Sequence, residues 1–338
     1  MNPYKLKLLA ANALSATLPL KYIFLRSKNR HIFAYHRVVD PEVAHALKMQ
    51  DAMWTSCDTF RSDLEWMLDN GEIVDLDRIL DFSSRNDRPL FSITFDDGWI
   101  DNYTNAYPLL LKYGVPATVF LVTSAIQTGN IFWVEDFLYK VAKIESEKDQ
   151  LLAANALIAF CNSRNIRISK SLCGITRIAE SFIEVIKVMP KKLRMDILQE
   201  LYTELGLCMD PIKGEVLTWE QINEMGDNGI SFGSHTHTHE ILKYTDRQTS
   251  LAELTASKAI IERETNKPVK YFCYPNARYN EKDADLIESV GYMNAFRIHN
   301  LPTTGQTDRY FVPRYLASEH MNKNKNYLLC RLLGLPRY

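Results

Sequence analysis

The strongest constraint on this chain is an alternation of short apolar, β-branched runs with amphipathic helical stretches. Residues 91–95 and 115–122 are two such runs. Between them, 102–113 carries Tyr103, Ala106, Leu110 and Leu111 at helical spacing, with Gly114 at its end. Strand, helix and strand at that spacing imply parallel strands joined by crossover helices. The pattern opens at 31–36, has a short strand over 72–74, and resumes at 229–235, 269–274, 294–298 and 311–315. Helices are expected over 247–264 and 283–290. Five or more such units leave either an open doubly wound sheet or a (β/α) barrel.

One region breaks the rhythm. From about 134 to 210 there is no strand signal, only apolar stripes at helical spacing. Leu151, Ala154, Leu157, Ile158 and Cys161 form one, and Ile178, Phe182, Ile186 and Met189 another, closed by Pro190. A third helix runs over 193–205. An insertion of roughly eighty residues is too long for a single βα connection. Elsewhere a helix is expected from Thr59, capped by Asp58 and carrying Phe60, Leu64, Met67 and Leu68.

The expected organisation is an N-terminal amphipathic helix over 1–30, a barrel over 31–320 that contains the insertion, and a helical tail over 321–338. The apolar stretch from Leu8 to Leu20 is interrupted by Asn12, Ser15 and Thr17, and it falls short of the ~20 residues a membrane span needs. It reads as a helix packed on the body or lying on a membrane surface, with a cleaved signal peptide as the minority reading. With 40 basic against 41 acidic residues, nothing recommends nucleic acid as a partner. Six scattered cysteines without a CxxC read as reduced thiols. The expected location is therefore cytoplasmic, at or near the inner face of the membrane.

Chemistry concentrates at two strand ends. The run Thr94-Phe95-Asp96-Asp97-Gly98 places two carboxylates where a strand meets a turn, and a cation or proton is needed between acids that close. The second is His235-Thr236-His237-Thr238-His239, three histidines in five residues directly after an apolar run. Neutral imidazole is a preferred metal ligand. A helical turn there would put His235 and His239 on one face, whereas an extended chain would align all three. Two His nitrogens and one carboxylate make a divalent site that lowers the pKa of bound water and polarises a carbonyl. The spare carboxylate could then act as base.

These two stretches resemble the first two motifs of the polysaccharide deacetylase family. Flanking pieces agree: Ala34-Tyr35-His36-Arg37-Val38, Pro116-Ala117-Thr118-Val119-Phe120, Leu217-Thr218-Trp219 and Phe272-Cys273-Tyr274-Pro275. The resemblance runs from about Ile32 to Leu316, without the insertion. It implies a distorted (β/α) barrel and metal-assisted hydrolysis of an acetyl group on a sugar. By position it implies Asp96 as general base, Asp97, His235 and His239 as metal ligands, and His237 outside them. Where the third motif usually has a base-orienting arginine, this chain has Cys273, and Arg314 after Pro313 resembles the substitute found in members that lack it. The backbone N–H of Asn276 falls at the oxyanion donor. Tyr35-His36 matches a subgroup in which that histidine is the general acid.

The resemblance thus implies a deacetylase that removes an acetyl, N-acetyl in the first instance, from a surface polysaccharide, lipopolysaccharide or lipid-linked glycan. The expected cofactor is Zn2+, with Co2+, Ni2+ and Mn2+ as alternatives, and the expected partner is the acetylated carbohydrate. The competing readings are a non-catalytic carbohydrate-binding relative and another metal-dependent amidohydrolase or esterase. Phe132, Trp133 and Tyr139 read as anchors for the insertion, Trp99 and Tyr244 as candidates to line the groove, and Lys323 to Lys325 as a solvated face.

Overall fold

In the computed structural model, which describes residues 3–17, 19–144, 147–169 and 174–335, seven parallel strands close into a barrel. They are β1 (Arg30–Tyr35), β2 (Leu90–Phe95), β3 (Ala117–Leu121), β4 (Ile230–Ser234), β5 (Tyr271–Cys273), β6 (Asn294–Ile298) and β7 (Val312–Leu316). Closure comes where β1 pairs with both β2 and β7, in register Ala34↔Thr94 and Ala34↔Leu316. The short strand Glu72–Ile73 pairs with the first half of β2, and β3 pairs with its second half. That shared edge distorts the barrel.

Side-chain parity sorts two cores. Phe33, Tyr35, Phe91, Ile93 and Tyr315 point outward into the layer beneath the helices. Ile32, Leu90, Phe120, Cys273, Phe296 and Val312 fill the interior, and the helix Leu76–Leu80 closes one end through Leu76 and Ile79. Every strand therefore points its C-terminal end the other way, and polar residues collect there.

Local chemistry differs from expectation at several points. The cap of the helix Cys57–Asn70 is Ser56, whose side chain accepts from Thr59 N–H at 3.1 Å, while Asp58 sits in the first turn and pairs with Arg61. The stretch after β1 contains a small parallel sheet, Arg37–Val38 with Trp54–Thr55. Two helices, Pro3–Thr17 and Leu20–Ser27, stand where one was expected, because Pro19 separates them. Lys323 to Lys325 is more than a solvated face. Asn324 caps the helix Lys325–Leu332, and Lys325 reaches the buried Asp63.

The insertion folds as the helices Trp133–Ala142, Glu147–Ser163, Ile175–Ile186 and Lys191–Glu204. It has its own core, with Phe137, Leu157, Phe182, Ile186 and Leu201 fully buried. Polar contacts tie it to the barrel rim. A buried pair joins Arg194 to Glu240 at 2.5 Å, and Lys191 donates to Thr238 Oγ1 at 3.0 Å. Phe132, just ahead of the first helix, stacks on His239 with ring centroids 4.9 Å apart.

Candidate active site

Asp96 follows β2 and continues its inward parity, whereas Asp97 turns away because its φ is +78°. Gly98 follows at φ +83°, and a Cβ there would meet Leu121 Cδ2 at 2.9 Å. A left-handed aspartate is a strained conformation of the kind held at functional sites. The turn separates the two neighbouring acids into different environments.

Asp96 is gripped from below. Arg314, inward on β7 and fully buried, donates Nη1 to Oδ1 and Nη2 to Oδ2, both at 2.7 Å. Nη1 also reaches Thr94 Oγ1 at 2.9 Å, and Nη2 lies 2.7 Å from Cys273 Sγ. The small thiol leaves space beside Asp96 that the guanidinium fills from the next-but-one strand. Burial alone would raise the Asp96 carboxyl, but the charge and hydrogen bonds of Arg314 overturn it and hold the group well below the usual range. Asp96 is thus kept ionised.

Asp97 faces the histidines. Its Oδ1 lies 3.5 Å from His235 Nε2 and 3.4 Å from His239 Nε2, and the three ligand atoms are within 4.8 Å of one another. Trp99 Nε1 donates to the other oxygen, Oδ2, at 3.0 Å. His235 Nδ1 lies 2.8 Å from the Cys273 carbonyl, which leaves the Nε2 lone pair free for a cation. A tetrahedral centre with bonds of ~2.0–2.1 Å has ligand–ligand edges of about 3.4 Å, so the spacing fits a zinc-sized ion. Burial, then the charges of Glu135 and Asp96, push the Asp97 carboxyl up, while burial lowers His235 to about 4 and holds His239 well below its ordinary value. Neutral imidazoles beside a buried acid are the donor set that a divalent cation completes.

The histidine loop is neither helical nor extended. Thr236 and His239 adopt φ of +67° and +59°, so the chain doubles back and returns His239 to the side of His235. His237 turns outward, its Nδ1 2.8 Å from Thr123 Oγ1. A second triad, Asp96, His235 and Cys273, also exists among the described residues. Burial keeps the Cys273 thiol protonated, and Arg314 lies against it, so it makes a poor cation site.

A cavity of about 310 Å³ opens above these groups. His36, Asp96, Asp97, His235, His239 and Asn276 line it, and Arg314 lies beneath Asp96. His36 Nε2 is 3.9 Å from Asp96 Oδ2, and burial lowers its pKa. Asn276 adopts φ +55°, and Lys187 of the insertion holds its Oδ1 at 3.2 Å. The insertion and the 47–53 loop roof the cavity with Met49, Met53, Val134, Leu138 and Ile183.

Several participants were not evident from sequence. Arg37 packs over Trp99 and is held by Asp101 at 2.6 Å and Glu215 at 2.8 Å. Lys187 and Glu135 come from the insertion, and only their position beside a barrel rim singles them out. Trp99 is fully buried and bonds Asp97, whereas Tyr244 is 38% exposed, pairs with Arg278 and does not line the cavity. Phe132 stacks on His239, Trp133 lies under Arg194, and Tyr139 bonds Arg37.

Barrel, acid pair and histidine loop together define a hydrolase scaffold of the carbohydrate-deacetylase class. The polysaccharide deacetylase profile matches residues 83–295, and the chain belongs to that family. It is 34% identical over 271 residues to the poly-beta-1,6-N-acetyl-D-glucosamine N-deacetylase of Staphylococcus epidermidis, covering 77% of this chain and 66% of that protein. YxkH of Bacillus subtilis strain 168 is 22% identical over 252 residues, covering 73% of this chain and 60% of YxkH. The chain thus spans less than two thirds of the length of both relatives. In fold it is similar to the deacetylase PplD of Streptococcus pyogenes, with a TM-score of 0.57 and 18% identity over 89% of this chain and 96% of PplD.

Proposed function

We propose that this protein hydrolyses an acetyl group, in the first instance an N-acetyl, from a sugar of a surface polysaccharide or a lipid-linked glycan. The observation that carries the reading is the division of the acid pair: Arg314 claims Asp96, and two histidines converge on Asp97. The name of the 34% identical relative supports the N-acetyl choice.

Asp97, His235 and His239 would hold the cation, which two imidazoles and one carboxylate suit to zinc. When bound, such a cation polarises the acyl carbonyl and lowers the pKa of water. Asp96, ionised by Arg314, takes the proton of the attacking water. The Asn276 N–H donates to the oxygen that gains charge, with its loop steadied by Lys187. His36, close to Asp96 and facing the cavity, gives a proton to the departing nitrogen. The absence of an arginine at Cys273 favoured a non-catalytic carbohydrate-binding relative, and the double contact from Arg314 weighs against it.

The same proposal places the protein against an anionic membrane surface. Leu6, Leu9, Tyr22 and Ile23 are exposed apolar side chains on the first two helices, with Lys21 and Arg26 exposed among them. No single described helix is long and apolar enough to cross a membrane.

Acetate release from β-1,6-linked N-acetylglucosamine oligomers, acetylated chitooligosaccharides and O-acetylated glycans tests the activity. Zinc-loaded wild-type protein is expected to release acetate, and Asp96→Asn to abolish it. Stoichiometric zinc with no release from any of these would sink the reading in favour of a binding module.

A further inference from the structure

Glu135 and Asp136 are adjacent acids in the first turn of the helix Trp133–Ala142, and their fates differ. Asp136 is saturated: it accepts from Lys140, from the Tyr202 hydroxyl and from the Ile212 N–H. Glu135 points the other way, into the cavity that holds His36, Asp96, Asp97 and His239. Its Oε2 is buried and has no hydrogen-bond partner among the described residues. Glu135 lines the same cavity as the proposed cation ligands Asp97, His235 and His239. The nearest cations are committed elsewhere: Arg37 to Asp101 and Glu215, Lys187 to Glu184 and Asn276.

A buried carboxylate oxygen without a donor costs the free protein stability. It persists where a ligand supplies the missing donor. The ligand expected in this cavity is a sugar, rich in hydroxyl donors, and Glu135 meets it from a roof that mixes aliphatic groups such as Met49, Leu138 and Ile183 with the polar Glu180, Glu184 and Lys187. We propose that Glu135 is a sugar-binding residue, its free carboxylate oxygen accepting a hydrogen bond from a hydroxyl of the acetylated sugar. The helical insertion then does more than cover the barrel, because it contributes a specificity contact that the barrel itself lacks. This inference rests on the carbohydrate reading of the site.

The test uses the zinc-loaded full chain and β-1,6-linked N-acetylglucosamine oligomers, with Glu135→Ala and Glu135→Gln. Calorimetric affinity, acetate release, zinc content and thermal midpoint are measured for each. Glu135→Ala is expected to weaken binding and raise KM about tenfold, the effect of losing one hydrogen bond, with kcat within about twofold. Glu135→Gln keeps an acceptor oxygen and should lose about threefold or less. The thermal midpoint of Glu135→Ala should hold or rise, because an unsatisfied group is removed; a structural role would lower it. Unchanged affinity, a lowered midpoint, loss of zinc, or a loss confined to kcat would each overturn the assignment. A glutamine variant as impaired as the alanine variant would overturn the hydroxyl partner. Wild-type protein that binds the oligomers without releasing acetate would defeat the deacetylase reading, while the affinity of Glu135→Ala would still decide this one. Wild-type protein that binds none of them would defeat both.

Discussion

Replacing Arg314 by methionine keeps most of the side-chain volume and removes the guanidinium charge that balances Asp96 from below. Two Nη–Oδ contacts of 2.7 Å are lost in a fully buried setting. With charge centres about 4 Å apart and an effective dielectric constant of about 20, the attraction is about 4 kcal/mol. Measured losses on breaking a buried pair are similar, about 3–5 kcal/mol, because one charge is left uncompensated. Arg314→Met should therefore lower the urea unfolding free energy at pH 7 by about 3–5 kcal/mol. The effect depends on pH in a defined direction. In the wild type the Asp96 carboxyl is depressed, so its contribution is complete above the unfolded value of about 3.9 and fades only as pH falls toward the folded value. In the variant burial dominates and raises Asp96, so its penalty grows as pH rises past that same unfolded value. The stability gap should be small near pH 3 and widen up to pH 7. Asp96→Asn added to Arg314→Met should restore much of the stability and none of the activity. If the double variant is no more stable than Arg314→Met at pH 7, an uncompensated Asp96 is not the source of the loss and the reasoning fails.

Trp99→Phe removes the donor to Asp97 Oδ2 and should weaken zinc binding about 10–100-fold in a chelator competition; an unchanged affinity would show that the indole does not orient the ligand. His31 is buried with both ring nitrogens unpartnered, and burial lowers its pKa to about 3. The unfolded chain binds that proton from about pH 6.5 downward, so stability is present above that value and is lost as pH falls toward 3. Between pH 7 and 4.5 this one group should cost about 2–3 kcal/mol in unfolding measurements. His31→Leu should flatten that part of the profile, and an identical slope in both proteins would count against it. The full chain should sediment with vesicles containing phosphatidylglycerol, and Leu9→Asp with Ile23→Asp should abolish this; equal sedimentation would remove these helices from the contact.

What sequence made legible was whatever depends on neighbours in the chain. Strand periodicity located the seven barrel strands, and adjacency alone paired Asp96 with Asp97. The histidine loop was less legible, since Thr236 at φ +67° defies the habits of a β-branched residue and only its surroundings impose it. Arg314 could be anticipated from its family resemblance, but its double contact with Asp96 spans 218 residues. Lys187 and Glu135 were illegible, because helix periodicity says which face of the insertion is apolar and not which part of the barrel that insertion will cover. Ser56 took the cap from Asp58 by a two-residue shift of helix start, a distance that local propensity does not resolve.

The position of Arg314 on β7 also sets an order of events during synthesis. Asp96 leaves the ribosome 218 residues before its partner, and until then its neighbourhood holds a carboxylate with nothing to balance it. The strand that supplies the guanidinium is also the strand that pairs with β1 and closes the ring. Barrel closure and the grip on Asp96 are therefore one step. A chain cut short before Val312–Leu316 would carry every proposed cation ligand and still lack the guanidinium that holds Asp96.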